Sequence, residues 1–150
     1  MDELLRLAAD YGVRVSTSRL PGDLLGAYIP ATRSIRLDAR LTPCERRSVL
    51  AHELGHAHFR HPAGAGLSPA TQARNERQAD RFAARVLIDP AEYARLERID
   101  PDPDAIAEAL GVTAELVRVY RESCLTRTEG AGYALPRLGR GQWAFRGAWR

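Results

Sequence analysis

The hydrophobic positions change from helical to strand spacing within the first forty residues. Apolar residues recur at helical spacing over residues 2–11, which predicts a short helix that Gly12 ends. Residues 13–15 alternate apolar and polar side chains and predict a short strand. Two further runs, Gly26–Ile29 and Ser34–Asp38, flank a proline-containing turn, which is typical of a hairpin. The N-terminal part is therefore predicted to supply one helix and a small β-sheet.

A strong helix start follows the predicted hairpin. Thr42 supplies a capping hydroxyl, Pro43 occupies the first helical position and Glu45 the third, which together form a capping-box pattern. We expect this helix to run to residues 58–60 and to stop before Pro62.

Helices are predicted to make up most of the remaining chain. Residues 61–69 contain two Gly and two Pro and predict a loop, and a long helix over Pro69–Leu87 follows it with an apolar stripe at helical spacing. Three shorter helices are predicted at Pro90–Leu96, Pro103–Leu110 and Thr113–Leu125. The order of a helix, a small sheet and then mostly helices indicates an α+β fold.

The composition is that of a soluble globular protein of one domain, with 45% hydrophobic and 27% charged residues in a chain of 150. No apolar run approaches the ~18 residues that span a bilayer, so no membrane association is expected. The N-terminus is acidic and amphipathic, unlike a secretory signal, which favours a cytoplasmic location. Nothing in the pattern indicates an oligomeric state.

The positive charge belongs to one end of the chain. All 22 basic residues are arginine, and residues 1–124 hold 17 of them against 18 acidic residues, whereas residues 125–150 hold five against one. We interpret residues 1–125 as the folded domain and residues 126–150 as a basic Arg/Gly/Trp tail. Interleaved arginine and aromatic residues suit single-stranded nucleic acid, but a loose or self-docked tail is the simpler interpretation. Direct nucleic-acid binding by the body of the chain is not expected.

The central motif is the run from His52 to His56, which reads H-E-L-G-H. Side chains four residues apart lie on one face of a helix, so both imidazoles reach one metal ion. Glu53 lies about 100° round the helix from His52, where it can accept a proton from a bound water. Gly55 suits close approach by another backbone element, for example a strand. The alternative is a pair of surface histidines with a solvated glutamate.

A catalytic zinc takes three protein ligands and keeps one open position, so a third ligand is needed. His61 does not fit the metzincin spacing, and His58 lies two residues from His56 and should face away from the pair. Glu76 lies 20 residues after the second histidine on the next predicted helix, and Asp80 follows it by one turn on the same face. The alternative is that both carboxylates merely alternate with arginines on a solvated face.

Two sequence runs together resemble the ImmA/IrrE family of metallopeptidases. They are LAHELGH at residues 50–56 and NERQADRFAARVLIDP at residues 75–90, and the hairpin at residues 26–37 is also similar to that of the family. The resemblance covers about residues 20–120, and the basic tail is not part of it.

The resemblance implies a zincin-like fold, in which a small sheet packs on the motif helix and a helical part follows. It implies the gluzincin arrangement, with His52, His56 and Glu76 as Zn²⁺ ligands and Asp80 orienting a ligand histidine. It also implies site-limited cleavage of a transcriptional repressor, typically in phages, mobile elements or stress responses. The expected partner is therefore a protein substrate, a DNA-binding repressor.

The expected reaction is peptide hydrolysis with Glu53 as the base. Such a site needs a donor for the developing oxyanion, and Tyr28, His61 and Tyr93 are candidates that the sequence does not rank. We expect the strand Ser34–Asp38 to be the edge that pairs with an extended substrate.

The competing hypothesis is a non-catalytic, metal-stabilised regulatory module that binds a repressor or DNA. Its support is the predicted helical pair at residues 103–125, which looks like a helix-turn-helix, and the basic tail. The outer face of that pair carries Asp104, Glu108 and Glu115, which would repel phosphates, so packing or substrate docking is favoured over DNA contact. Glu53 distinguishes the two hypotheses, because a structural metal site needs no base.

Overall fold

Local capping signals set the bounds of the main helices. The computed structural model describes residues 1–62, 66–128 and 132–134. Its elements are α1 Asp2–Asp10, β1 Arg14–Ser18, β2 Gly26–Ile29, β3 Ser34–Asp38, α2 Pro43–His58, α3 Pro69–Leu87, α4 Pro90–Ile99, α5 Pro103–Leu110, α6 Ala114–Ser123, β4 Thr126–Thr128 and β5 Gly132–Ala134. A reciprocal capping box of Thr42 and Glu45 starts α2, and the Ser68 hydroxyl caps α3. The predicted α+β fold is confirmed.

The three N-terminal strands form one sheet in the order β1-β3-β2. The predicted hairpin of β2 and β3 is confirmed, and it is antiparallel. β1 is longer than expected and pairs with β3 in parallel, from Arg14 opposite Ser34 to Ser18 opposite Asp38. The expectation that Ser34–Asp38 is a free edge is therefore wrong, because partners on both sides occupy its backbone groups. The two edges of this sheet are β1 and β2.

Two glycines let the sheet and α3 approach α2 closely. A Cβ atom on Gly55 would lie 2.8 Å from Ala79 Cα and 3.0 Å from its carbonyl oxygen, so α2 and α3 cross almost backbone to backbone. The close neighbour of Gly55 is thus a helix and not the strand suggested from the sequence. A Cβ on Gly26 would lie 2.5 Å from Val49 Cγ1, so it is at Gly26 that β2 crosses α2.

The C-terminal helices pack against the start of α2. Gly111, in the left-handed region at φ 62°, ends α5 and turns the chain into α6. Arg47 Nη1 donates to the carbonyl oxygen of Leu110 at 3.0 Å, and the N–H of Thr113 donates to Ser48 Oγ at 3.2 Å. The helix-turn-helix-like pair therefore supports the helix that carries the histidines.

The C-terminal part differs from the prediction in the length of one helix and in a pair of short strands. α4 runs to Ile99 rather than to Leu96, and β4 and β5 form an antiparallel pair that the sequence did not predict. The arginine and tryptophan residues of the proposed tail, at 135–150, lie outside the described residues. None of the helices in the described part combines the length and apolarity that a membrane crossing needs.

Candidate active site

α2 and α3 bring three ligand atoms to one point. His52 Nε2 and His56 Nε2 are 3.0 Å apart, and Glu76 Oε2 on α3 lies 3.3 Å from the first and 3.6 Å from the second. Ligand atoms at tetrahedral zinc distances of about 2.0–2.2 Å are separated by about 3.3–3.6 Å. The two distances from Glu76 lie in this range and the distance between the histidines is somewhat shorter, so the three atoms are close enough to hold one metal ion. The side chain of Glu76 is 48% exposed, which puts this centre at a surface cleft.

Asp80 is hydrogen-bonded to the first histidine. Its Oδ1 lies 2.8 Å from His52 Nδ1, one helical turn beyond Glu76. A carboxylate there keeps the proton on Nδ1 and leaves Nε2 to face the ligand centre. Burial lowers the pKa of His52, but the hydrogen bond to Asp80 and the negative charges of Glu53, Asp80 and Glu76 outweigh it, so the pKa is raised.

His56 is held in the neutral form that a metal ligand requires. Burial, together with the positive charge that His52 and His61 can carry, lowers its pKa to about 4, against the opposing negative charges of Glu76 and Asp80. Its Nδ1 points away from the ligand centre to His61 Nδ1 at 3.0 Å, and His61 Nε2 lies 3.2 Å from Gln78 Oε1. His61 is thus brought to the site, but both of its ring nitrogens already have partners.

Glu53 is buried beside the ligand centre and held by the edge strand β2. The backbone N–H of Tyr28 donates to Glu53 Oε2 at 2.7 Å. Burial raises the pKa of this carboxyl group, against the opposing effects of His52 and of the Tyr28 hydrogen bond. A Cβ at Gly26 would lie 3.1 Å from Glu53 Oε1, so a glycine there leaves room for the carboxylate. The sequence did not indicate this backbone donor, because it joins residues 25 positions apart.

Two residues considered from the sequence lie away from this centre. The Tyr93 hydroxyl donates to Glu97 Oε1 at 2.7 Å and accepts from Arg121 Nε at 2.6 Å, between α4 and α6. Tyr93 is thus engaged between α4 and α6, and this position does not support its candidate role as an oxyanion donor. His58 faces away, as expected, with Nδ1 3.1 Å from the Tyr11 hydroxyl.

Two cavities meet at Gly26, His52 and Glu53. One, of about 410 Å³, lies between β2, α2 and α6. Its apolar wall is formed by Leu25, Val49, Leu116 and Val119, with Glu45 and Glu115 beside them. The other, of about 360 Å³, lies towards α3 and the end of α2, and Tyr28, His61 and Asn75 line it. Together they form a cleft that passes the ligand centre and the Glu53 carboxylate.

Two comparisons relate the chain to known proteins. The model of the Peptidase M78 family, described as an IrrE N-terminal-like domain, matches residues 4–120. A solved structure titled "Mycobacterium tuberculosis transcriptional regulator" is similar at a TM-score of 0.60 and 23% identity. That similarity covers 86% of this chain and 43% of the regulator, so this chain spans less than half of its length. No curated protein sequence matches the chain significantly.

Proposed function

The chain belongs to the Peptidase M78 family, by a match to the IrrE N-terminal-like domain over residues 4–120, and from that premise we propose that it is a zinc-dependent endopeptidase. The observation that carries the proposal is the joint placement of His52, His56 and Glu76 with a buried carboxylate, Glu53, beside them. A metal that only stabilises a fold has no use for a base at its side.

Each residue then has a definite task. Zinc held by His52, His56 and Glu76 would act as a Lewis acid and would lower the pKa of a bound water to about 7. Glu53 accepts the proton of the attacking water and passes it to the leaving amine. The Tyr28 N–H fixes the orientation of the Glu53 carboxylate, and burial raises the pKa of that group, which suits a base that receives a proton.

β2 is our choice for the strand that receives the substrate. The Tyr28 N–H points from β2 towards Glu53, so the side of β2 that does not pair with β3 faces the ligand centre. An extended substrate segment lying in the cleft would run along this edge. The apolar wall of Leu25, Val49 and Leu116 suits an apolar side chain on one side of the cleaved bond.

Tyr28 is the oxyanion donor that the geometry favours among the three candidates. Tyr28 lines the cleft with His52 and Glu53, whereas the ring nitrogens of His61 are engaged and Tyr93 bonds groups of α4 and α6. The measurement is the rate of peptide cleavage by Tyr28→Phe, which should fall with zinc content unchanged. An unchanged rate would remove Tyr28 from the mechanism.

We infer that the substrate is a transcriptional repressor, cleaved at one site in the cytoplasm. The support is the membership in an IrrE-like family and the similarity to a protein titled a transcriptional regulator. The competing role, a non-catalytic regulatory module, takes its support from the same title and from the helical pair α5–α6. The outward Asp104 and Glu115 side chains, 70% and 79% exposed, do not favour contact with DNA phosphates.

Glu53→Gln tests the enzyme hypothesis. The protein is incubated with the repressor encoded beside its gene and with a peptide library, and products are identified by mass spectrometry. Wild type should cut, whereas Glu53→Gln should bind zinc and fold normally but not cut, because the amide cannot take a proton. Glu122→Gln, an exposed glutamate of α6 that lines neither cavity, is the control and should cut normally. Cleavage by Glu53→Gln at the wild-type rate, or none by wild type with zinc bound, would reject the proposal.

A further inference from the structure

The end of α2 turns the chain back onto the second ligand histidine. Arg60 is in the left-handed region at φ 54°, its N–H donates to the Ala57 carbonyl oxygen at 3.2 Å, and the His61 N–H donates to the His56 carbonyl oxygen at 3.0 Å. This pair of hydrogen bonds is the Schellman motif, which brings the residue after the left-handed position over the last helical turn. Here the two residues brought together are both histidines.

Their rings meet edge to face inside the protein. The ring centroids of His56 and His61 are 5.0 Å apart, the rings are inclined at 72°, and the two Nδ1 atoms are 3.0 Å apart. His61 is only 6% exposed, so its ring has little water to bond with. Its other nitrogen, Nε2, faces Gln78 Oε1 on α3 at 3.2 Å.

With a metal ion bound at His56 Nε2, the chemistry of these atoms permits one arrangement of protons. His56 Nε2 is directed at the ligand centre, so the proton of the neutral ring belongs on Nδ1. That N–H can donate only to an acceptor, so His61 Nδ1 must carry no proton. The His61 proton is then on Nε2, and this N–H donates a hydrogen bond to the side-chain carbonyl oxygen of Gln78. Both ring nitrogens of His61 and Nδ1 of His56 thereby have hydrogen-bond partners of the right kind.

We propose that His61 is a positioning residue, which holds His56 in the tautomer and orientation that bind the metal, and that Gln78 in turn fixes His61. This rests on the metal site of the proposed function. The arrangement differs from the one at His52, where a half-exposed carboxylate does the same task. Here the acceptor is a neutral, buried ring placed by the end of the helix itself.

Zinc affinity of paired variants tests the proposal without any substrate. His61→Leu removes the acceptor and should weaken zinc about 10–100-fold, measured by competition with a chromogenic chelator. His61→Asn keeps a carbonyl oxygen near the position of Nδ1 and should stay within about threefold of wild type. Circular dichroism and thermal melting of the metal-free variants verify that both fold. Equal affinity of His61→Leu and wild type, or an equal loss in both variants, would overturn the proposal.

A second pair of variants keeps both histidines and alters only the turn that positions His61. Arg60→Gly preserves the left-handed conformation and should keep zinc affinity, whereas the β-branched Arg60→Ile opposes that conformation and should reduce it. Equal affinities of the two would contradict the role of the turn.

Nuclear magnetic resonance supplies a readout that a merely structural role would not affect. The chain has four histidines, so the imidazole nitrogens of the zinc-loaded protein are readily assigned. We expect His56 protonated on Nδ1 and His61 on Nε2, and a His61 proton on Nδ1 would reject the proposal. Zinc binding with these tautomers but without peptide cleavage would instead reject only the proposed function.

Discussion

The helix pair α2–α3 and the helix pair α5–α6 differ in how many polar side chains they bury. The first brings together buried or half-buried polar groups, among them Glu53, His61 and Asn75. The second buries Ile106, Val117 and Tyr120 and turns its charges outward. Buried polar groups need partners, and β2 supplies one for Glu53 through the Tyr28 N–H, whereas His56 and Gln78 supply those of His61. The difference separates the helices that form the site from the helices that support it.

The supporting pair still shapes the site. Arg47 and Ser48 tie the α5–α6 turn to the first half of α2, and Leu116 and Val119 of α6 form part of the apolar wall of the cleft. We therefore expect changes in α5 or α6 to alter stability and substrate fit, and changes between α2 and α3 to alter metal binding.

The largest effect should follow loss of a ligand imidazole. His52→Ala or His56→Ala removes one of three ligands, so the purified protein should contain almost no zinc by elemental mass spectrometry. His58→Gln, on the same helix but facing away, is the control and should retain one equivalent. If both ligand variants kept zinc, or if wild type carried none, the contact of α2 and α3 would have no metal role.

The two carboxylates of α3 should differ in effect. Glu76→Ala removes a ligand, so zinc affinity should fall steeply, whereas Asp80→Ala loses only the partner of His52 Nδ1 and should weaken zinc about 10–100-fold. Competition titration of both variants measures the order. A greater loss in Asp80→Ala than in Glu76→Ala would reverse the two assignments.

Gly55→Ala tests how closely α2 and α3 must pack. Alanine normally favours a helix over glycine by about 1 kcal/mol, but here its methyl group would lie 2.8 Å from Ala79 Cα. We expect the free energy of unfolding in urea, measured with a chelator present, to fall by about 1–3 kcal/mol. Adding Ala79→Gly should not restore it, because the nearest atoms are backbone. A more stable Gly55→Ala protein would show that the helices separate easily.

The smallest effect is expected in the supporting pair. The Tyr120 hydroxyl is buried and has no hydrogen-bond partner among the described residues. Tyr120→Phe removes a polar group that gains nothing from burial, so the free energy of unfolding should be unchanged or slightly higher and zinc affinity unchanged. A loss of zinc in Tyr120→Phe would mean that the two helix pairs are not separable in role.

The sequence alone was sufficient for features that depend on neighbours a few residues apart. Thr42 with Pro43 and Glu45 predicted the start of α2, Pro69–Leu87 was predicted at its observed bounds, and the hairpin of β2 and β3 was located. The family resemblance and the H-E-x-x-H spacing also pointed to Glu76 and Asp80, which the structure places beside the two histidines. Capping, turn chemistry and helical period act within one or two turns, so they are visible in sequence.

The tertiary structure alone decided the rest. It placed β3 in the centre of the sheet, brought α3 rather than a strand against Gly55, directed Tyr93 away from the cleft and engaged both ring nitrogens of His61. Each of these facts depends on contacts between residues distant in the chain, or on the direction of a ring at the end of a helix. Residue type and spacing do not specify either one, because both are set by the packing of whole elements against one another.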